Sequence, residues 1–285
     1  MIFEQYLQSK HYSPQTIASY CKGEGHLTDW LRQQQIAGED ATYTDVLAFM
    51  QHLQDKGRSK RTVHSLLNVV RHYFTWLIAQ GRREDNPAAG VYVRGIVRKL
   101  PNNLLSREEL EELYRCYQLQ LNVDPAKKLM LGLLIYQGLQ TEEFMRLEAA
   151  HIRLKEGKIF VRGTSYSNER WLPLQAHQVV DWQQYLQANK FKEGIFLARP
   201  MRKDASARNI SNRMQHMIVQ LRRLNPKVIN ANQIRNSVLT FWLQRYNLRQ
   251  VQYMAGHKYV SSTERYQRLN QDDLQSELQK HHPMS

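Results

Sequence analysis

Hydrophobic residues recur every three or four positions along most of the chain, which is the spacing of amphipathic α-helices. Within residues 1–87 this spacing breaks several times, and the breaks predict a bundle of four helices joined by tight loops. A serine before a proline is typical of a helix start, and glycines at 57 and 81 mark the ends of the last two helices. The predicted helices open at Phe3, Ser13-Pro14, Thr44-Asp45 and Ser59.

Helical spacing returns after residue 104 and is interrupted once by a stretch in which hydrophobic and polar residues alternate. Residues 152–163 alternate around a glycine turn and 169–174 supply a third strand, which predicts a small antiparallel β-meander. Further helices are predicted to begin at the capping box Ser106-Arg107-Glu108-Glu109 and at the cap Thr141-Glu142-Glu143. Others are predicted at 127–137, 176–188, 207–224, 231–245, 247–255 and 261–280. The fold class is therefore mainly α with a small antiparallel β-meander.

The segment between these two parts is rich in proline, glycine and cations. This composition predicts a linker at residues 88–103, between a helical domain at 1–87 and a second domain at 104–285. A linker that lies along a nucleic acid backbone and an ordinary solvated linker fit this composition equally well.

Composition narrows the function classes. The 285 residues include 40 Lys and Arg against 26 Asp and Glu, a net charge of +14, and 42% are hydrophobic, which excludes intrinsic disorder. Cys21 and Cys116 are too far apart for a metal motif, and two cysteines make no disulfide framework. No apolar run reaches 18 residues and the N-terminus lacks the order of a signal peptide, so we expect a cytoplasmic protein without a membrane partner.

The positive charge is uneven along the chain. Residues 1–90 hold 10 Lys and Arg against 9 Asp and Glu, so the remainder carries a net +13. Within 190–235 there are 11 cationic residues and two acidic ones. A polyanion such as DNA is the natural partner because phosphate contacts release counterions, although a solvated basic surface with no partner has the same composition.

Three residues near the C-terminus suit phosphoryl transfer. Arg235, His257 and Tyr266 follow one another at spacings of 22 and 9 residues. An arginine clamps a phosphate, a histidine donates to a phosphoryl oxygen, and a tyrosine hydroxyl can attack phosphorus. Spacing alone also allows structural roles: a surface ion pair, a helix C-cap and a core aromatic.

The order of motifs over nearly the whole chain resembles that of tyrosine recombinases of the phage-integrase family, in their short two-domain form. The N-terminal part is similar to the family's four-helix, SAM-like core-binding domain, and residues 104–285 are similar to its catalytic domain. The matching motifs are Ser13-Pro14-Gln15-Thr16, Arg61-Thr62-Val63, Phe74-Thr75-Trp76-Leu77, Asn86-Pro87, Leu134 to Leu139, Leu172-Pro173-Leu174, Gly256-His257, Thr263 and Tyr266.

The resemblance implies site-specific DNA recombination, in which Tyr266 attacks the scissile phosphate and forms a 3′-phosphotyrosyl link with a free 5′-hydroxyl. No metal or other cofactor is implied, because the covalent link keeps the phosphodiester energy. The enzyme must stabilise the transition-state charge, activate a phenol with an ordinary pKa of about 10, and protonate the leaving oxygen. In the family two arginines, two histidines and a lysine share these tasks.

The chain departs from the family pattern at three positions. Gln140 stands where the first arginine is expected, Asn232 replaces the first histidine, and Thr164 replaces the hairpin lysine. Loss of one preorganised donor typically costs about 2.7–4 kcal/mol of transition-state stabilisation. Groups that could compensate are Arg162, Arg170, Lys258 and Asn236.

Two hypotheses therefore compete: a divergent but working recombinase, and a DNA-binding or architectural member of the same fold that has lost cleavage. Retention of Tyr266, His257 and Arg235 in register favours the first. An unrelated metal nuclease is disfavoured because no Asp, Glu and His cluster has ligand spacing.

The expected partners are double-stranded DNA, further copies of the chain and a partner recombinase. The two domains are expected to close around the duplex, with phosphate contacts from both. Leu269, Leu274 and Leu278 on an otherwise polar helix resemble the family's C-terminal docking segment, and packing within the same chain explains them equally well. The predicted DNA-binding residues are Arg58, Lys60, Arg61, His64 and Arg71 in the first domain and Arg202, Lys203, Arg222 and Arg223 in the second.

Overall fold

The computed structural model describes residues 2–96, 103–120, 123–188 and 207–267, with the side chains of 207–209 excepted. The chain folds as two compact units, Met1–Arg98 and Lys99–Ser285. The predicted linker, 88–103, spans this division, and its own limits stay a prediction.

The first unit contains four helices, as the hydrophobic spacing predicted. Ser13 and Ser59 cap their helices by accepting hydrogen bonds from the amides of Thr16 and Thr62, both at 3.2 Å. Thr42 caps the third helix, which therefore begins slightly earlier than predicted. The helices are α1 (Phe3–Ser9), α2 (Pro14–Gln33), α3 (Tyr43–Asp55) and α4 (Lys60–Ala79).

The second unit packs helices around a three-stranded meander. The strands are β1 (Ile152–Arg153), β2 (Lys158–Val161) and β3 (Arg170–Pro173), antiparallel in the order β1-β2-β3. The helices are α5 (Arg107–Gln118), α6 (Pro125–Tyr136), α7 (Thr141–Phe144), α8 (Ala176–Ala188), α9 (Ala207–Leu224), α10 (Ala231–Leu243), α11 (Leu248–Ala255) and α12 (261–267). The predicted class, mainly α with a small antiparallel meander, is confirmed.

Two buried helices give the second unit its rigid centre. Leu131 and Leu133 of α6 are fully buried, as are Ile234 and Leu239 of α10. The depth of α6 follows from its composition, since it is apolar almost all round, whereas α10 also buries several polar side chains. Polar residues placed on α10 are therefore held by a packed scaffold. Within the described ranges, no helix combines the length and apolar character needed to cross a bilayer.

Candidate functional site

Tyr266 lies on α12 with its side chain buried and its hydroxyl engaged on two sides. The hydroxyl donates to Oδ1 of Asn236 on α10 at 2.8 Å and accepts from Nη2 of Arg265 at 2.7 Å. The Arg265 guanidinium also lies over the tyrosine ring, 4.7 Å from its centroid. A phenol hydroxyl is a possible nucleophile, and here two hydrogen bonds fix its position.

His257 follows Gly256, the residue that ends α11, and stacks on Tyr266 with ring centroids 6.1 Å apart. Its Nδ1 is 2.8 Å from the Thr263 hydroxyl and its Nε2 is 3.5 Å from Nη2 of Arg235. A guanidinium has donors only, so Nε2 is the acceptor and Nδ1 carries the proton. Burial, reinforced by the charges of Arg235, Arg265 and Arg170, lowers the pKa of His257 to about 3. The imidazole is therefore neutral at neutral pH.

This burial predicts a specific acid sensitivity. The pKa of His257 is lower when folded than its unfolded value of about 6.5, so the unfolded chain binds the proton more readily and stability falls as pH drops below 6.5. When the pH falls from 7.5 to 5.0, the free energy of unfolding should decrease by about 1–2 kcal/mol less in His257→Asn than in the wild type. Urea unfolding at both pH values measures the difference. His26→Asn, which removes an exposed histidine on α2, should match the wild type; equal losses in all three proteins would contradict the prediction.

Arg235 projects from α10 and is almost fully buried. It donates to the carbonyl oxygens of Gly138, just beyond α6, and of Ala255 at the end of α11, the latter at 2.7 Å. Burial lowers the pKa of Arg235 to about 10, which leaves it charged at neutral pH. A fixed cation next to Tyr266 and His257 can hold a phosphate oxygen.

A buried ion pair lies beneath these residues. Arg170 of β3 binds Glu143 of α7 through two hydrogen bonds of 2.7 and 3.1 Å, and both side chains are fully buried. Burial alone would raise the pKa of Glu143, but the hydrogen bonds and charge of Arg170 outweigh it and the net shift is downward. Arg170 also donates to the Met254 carbonyl at 2.7 Å, and Glu143 accepts from the Gln140 amide at 2.8 Å. The pair thus links the end of α11 to the start of α7.

Gly256 belongs to the same arrangement. Its φ is +69°, in the left-handed region that glycine favours, and a Cβ at this position would overlap the guanidinium of Arg170. Both the turn that presents His257 and the buried pair therefore require glycine here.

The three departures from the family pattern differ in their surroundings. Gln140 and Asn232 line the same cleft as Arg235, so neutral amides stand where charged or basic groups were expected. Thr164 is buried instead, and its hydroxyl accepts from the amides of Tyr166 and Ser167 at 3.1 and 3.0 Å. Thr164 therefore builds the turn between β2 and β3.

The cleft has a volume of about 530 Å³ and is open to solvent, so a phosphodiester can enter it. Among the suggested compensating groups, Asn236 and Lys258 belong to this site, whereas Arg162 forms an exposed pair with Glu148 and Arg170 is committed to Glu143. The residues that line the cleft are Gln140, Ser165, Tyr166, Asn232, Arg235, His257, Lys258, Tyr259, Ser262, Arg265 and Tyr266.

Sequence reasoning missed Arg265. Neighbouring residues on a helix normally point in different directions, so its contact with the Tyr266 hydroxyl was not expected. The signal in the sequence was a cation directly before the candidate nucleophile.

The predicted DNA-binding residues of the first unit fall into two groups. Arg58, Lys60 and Arg61 are exposed at the start of α4, and His64 one turn later is half-buried. Arg71 is half-buried. Its guanidinium donates to the carbonyls of Ala88 and Val91 and to Asn68, and it lies over the ring of Tyr92. Arg71 therefore secures the chain after α4, and its contact with DNA stays a prediction.

Arg222 is exposed, and its guanidinium donates to the carbonyls of Val228 at 3.0 Å and Ile229 at 2.7 Å, so it also holds the loop between α9 and α10. Arg223, beside it, is exposed as well. Phosphate binding by Arg222 and Arg223 stays a prediction. Arg202 and Lys203 lie outside the described residues, as does the predicted docking segment with Leu269, Leu274 and Leu278.

Over the described ranges, no group of three or more His, Cys, Asp or Glu side chains is arranged to hold a metal ion.

Comparison with known proteins decides the family. Residues 103–273 match the model of the phage integrase family, and residues 2–81 match that of the phage integrase N-terminal SAM-like domain. The chain belongs to the phage integrase family. The resemblance drawn from the motifs is confirmed, and so is the four-helix SAM-like fold of the N-terminal part.

Relatives span nearly the whole chain. The chain is 27% identical to tyrosine recombinase XerC of Oceanobacillus iheyensis, covering 99% of this chain and 94% of that protein. It is 26% identical to tyrosine recombinase XerD of Proteus mirabilis, covering 99% and 93%, and 30% identical to XerC of Salmonella typhi, covering 84% and 79%.

Solved structures show the same fold. A lambda integrase (75–356) dimer bound to a COC′ core site matches with a TM-score of 0.67 and 16% identity, covering 93% of this chain and 92% of that one. The Tn1549 transposon integrase in complex with transposon right end DNA matches with a TM-score of 0.66 and 16% identity, covering 99% of both.

Proposed function

We propose that the protein is a site-specific DNA recombinase that cuts and rejoins double-stranded DNA through a 3′-phosphotyrosyl link at Tyr266. The supporting observation is the cleft itself. One open pocket of a tyrosine recombinase fold brings together a tyrosine hydroxyl, the buried cation Arg235 and the neutral imidazole of His257. The named relatives are tyrosine recombinases, and the fold neighbours include integrases bound to DNA.

Each residue has a proposed task. Tyr266 is the nucleophile, with Arg265 stabilising the developing phenolate and Asn236 orienting the hydroxyl. Arg235 binds a non-bridging phosphate oxygen, and His257, held by Thr263, fixes the position of Arg235 and faces the phosphate. Electrostatic stabilisation by fixed donors is usually the largest contribution to such catalysis.

A nicked suicide duplex tests the proposal. Duplexes recovered from a randomised pool by binding to the full chain supply the substrate sequence, and a nick near the cleavage point lets the short fragment that carries the 5′-hydroxyl diffuse away. We expect a protein–DNA adduct that survives SDS on a denaturing gel. Tight binding of the selected duplex without any adduct would contradict cleavage.

That second result would support the other candidate, a DNA-binding member of the fold that has lost cleavage. The observation in its favour is that neutral side chains occupy the family positions at Gln140, Asn232 and Thr164. Retention of Tyr266 in a cationic cleft weighs against it, because a purely architectural protein has no need of a tyrosine hydroxyl between Arg265 and Asn236.

DNA binding gives a separate prediction for the first unit. Lys60 and Arg61 are exposed at the start of α4, so Lys60→Gln/Arg61→Gln should weaken binding. If both bind phosphates, the slope of log affinity against log salt should fall by about 1.8, roughly 0.9 for each phosphate that is no longer neutralised. Fluorescence anisotropy with the selected duplex at several salt concentrations measures it.

The matched control removes two exposed cations elsewhere in the same unit. Lys10 directly follows α1, and Arg82 lies over Trp76, which contacts Phe3 of α1. Lys10→Gln/Arg82→Gln should leave the salt slope closer to wild type. Equal slopes in both double variants would remove Lys60 and Arg61 from the proposed interface.

We also propose how the chain is organised and where it acts. It has a core-binding domain at 1–87, a linker at 88–103 and a catalytic domain at 104–285. Assembly of several copies or of a partner recombinase on DNA is proposed because rejoining to a new strand requires a second cleaved site. Since the substrate is cellular DNA, the proposed place of action is the cytoplasm.

A further inference from the structure

We propose that Lys258 donates the proton to the leaving 5′-oxygen, the task that no lysine of the β2–β3 turn can perform in this chain. The assignment rests on the proposed recombinase function and adds a catalytic residue to it. It also explains how a chain with threonine at position 164 retains the acid that the chemistry needs.

Lys258 lies at the cleft. It follows His257 directly, is exposed to solvent, and lines the cleft that contains Tyr266 and Arg235. Its Nζ donates to the carbonyl of Ser165 in the β2–β3 turn at 2.9 Å. The ammonium group is thus held beside the hairpin although its backbone belongs to the segment that follows α11.

Hydrogen bonds fix the β2–β3 turn next to Lys258. Thr164 uses its hydroxyl to bind two amides of the turn, and the Asn168 amide donates to the Gly256 carbonyl at 2.8 Å. Ser167 also pairs with His257 as an isolated β-bridge. The turn is therefore fixed against the 256–258 segment, and this pairing brings the Ser165 carbonyl to Lys258.

Lys258 also has the chemistry that proton donation requires. An ammonium group can release a proton, whereas a guanidinium does not deprotonate and the amides of Gln140 and Asn232 are not acids. His257 is neutral, and its single N–H is directed at Thr263. Among the charged side chains that line the cleft in the described structure, Lys258 alone combines a positive charge with a transferable proton.

In the proposed cleavage step, the bond from Tyr266 Oη to phosphorus forms while the bond from phosphorus to the 5′-oxygen breaks. The phenolic proton passes to water, and a proton from Lys258 Nζ goes to the 5′-oxygen, which leaves as a hydroxyl. In rejoining, the neutral Lys258 amine takes the proton from the attacking 5′-hydroxyl and the phenol recovers its own from water.

The test compares two nicked suicide duplexes of the selected sequence. One has the ordinary 5′-oxygen at the scissile phosphate, and the other has sulfur in that bridging position. A thiol has a pKa of about 8.5 and leaves as a thiolate without an acid. We expect Lys258→Gln to slow cleavage of the oxygen substrate about 10²–10⁴-fold and to cleave the sulfur substrate at close to the wild-type rate.

Lys258→Arg separates proton transfer from charge. It keeps the cation but cannot release a proton, so it should be as slow as Lys258→Gln on oxygen and similarly rescued by sulfur. Lys155→Gln, which removes an exposed lysine away from the cleft, should match the wild type on both. Because Lys258 is exposed, the melting temperatures of its variants should equal that of the wild type.

The possible results are distinct. Wild-type cleavage of the oxygen substrate by either Lys258 variant, or slow cleavage of both substrates, overturns the assignment and leaves the recombinase proposal in place. If the wild type forms no adduct with either substrate, the recombinase proposal fails and the assignment fails with it.

Discussion

Tyr266→Phe should abolish the SDS-stable adduct on a nicked suicide duplex while the affinity for uncleaved DNA stays close to wild type. The hydroxyl is the atom proposed to bond to phosphorus, and phenylalanine keeps the ring that stacks on His257. Adduct yield on a denaturing gel and anisotropy with the intact duplex give the two measurements. In the wild-type adduct the released strand should carry a 5′-hydroxyl that polynucleotide kinase can label.

The cleft offers a matched control for this variant. Tyr259 also lines it, and its side chain is 72% exposed, so it is the more accessible tyrosine. Tyr259→Phe should form the adduct normally. Loss of the adduct in Tyr259→Phe with retention in Tyr266→Phe would move the nucleophile to position 259.

Arg170→Met should destabilise the protein by about 3–5 kcal/mol, since removal of one partner leaves the Glu143 charge buried and unpaired. It should also reduce cleavage in the molecules that remain folded. Arg170 and Glu143 together hold the backbone at Met254, near the end of α11, and at Gln140, which lines the cleft. Urea unfolding at neutral pH measures the stability loss.

An exposed ion pair near the meander serves as the control for the buried one. Arg162 and Glu148 are 3.5 Å apart with side chains 59% and 44% exposed, and such pairs typically contribute about 0–1 kcal/mol. Arg162→Met should therefore have little effect on unfolding. A loss of similar size in both variants would show that the buried pair has no special structural role.

The fold was largely predictable because its signals are local. Helix starts at Ser13 and Ser59 depend on residues three positions away, and the meander depends on alternation around a glycine turn. The shift of the third helix start to a Thr42 cap is of the same local kind. Helical and strand periodicity need no knowledge of what packs against the element.

The roles of the predicted cations are harder to read because a charge in the sequence does not state its partner. Arg71 and Arg222 stand near or among other cations, which suggested phosphate binding. In the structure both bind carbonyl oxygens of their own chain. A guanidinium with five donors can satisfy exposed carbonyls at a chain turn as readily as a phosphate, and only the path of the backbone distinguishes the two.

The candidate site was predictable only in part. Order and spacing brought Arg235, His257 and Tyr266 together as candidates but left structural roles open, and the family motifs favoured the chemical role and named Gln140 and Thr164 as departures. The hydrogen bond of Arg265 with the Tyr266 hydroxyl, and that of Lys258 with the turn formed around position 164, appear only in three dimensions.

By itself, the sequence determined the helical architecture, the meander, the family and the order of the candidate residues, because each follows from hydrophobic periodicity or from motif spacing. Only the tertiary structure decided which cations face the cleft and which are used in holding the chain together. The physical reason is that the partner of a long charged side chain depends on segments distant in sequence, such as the 84 positions that separate Arg170 from Met254.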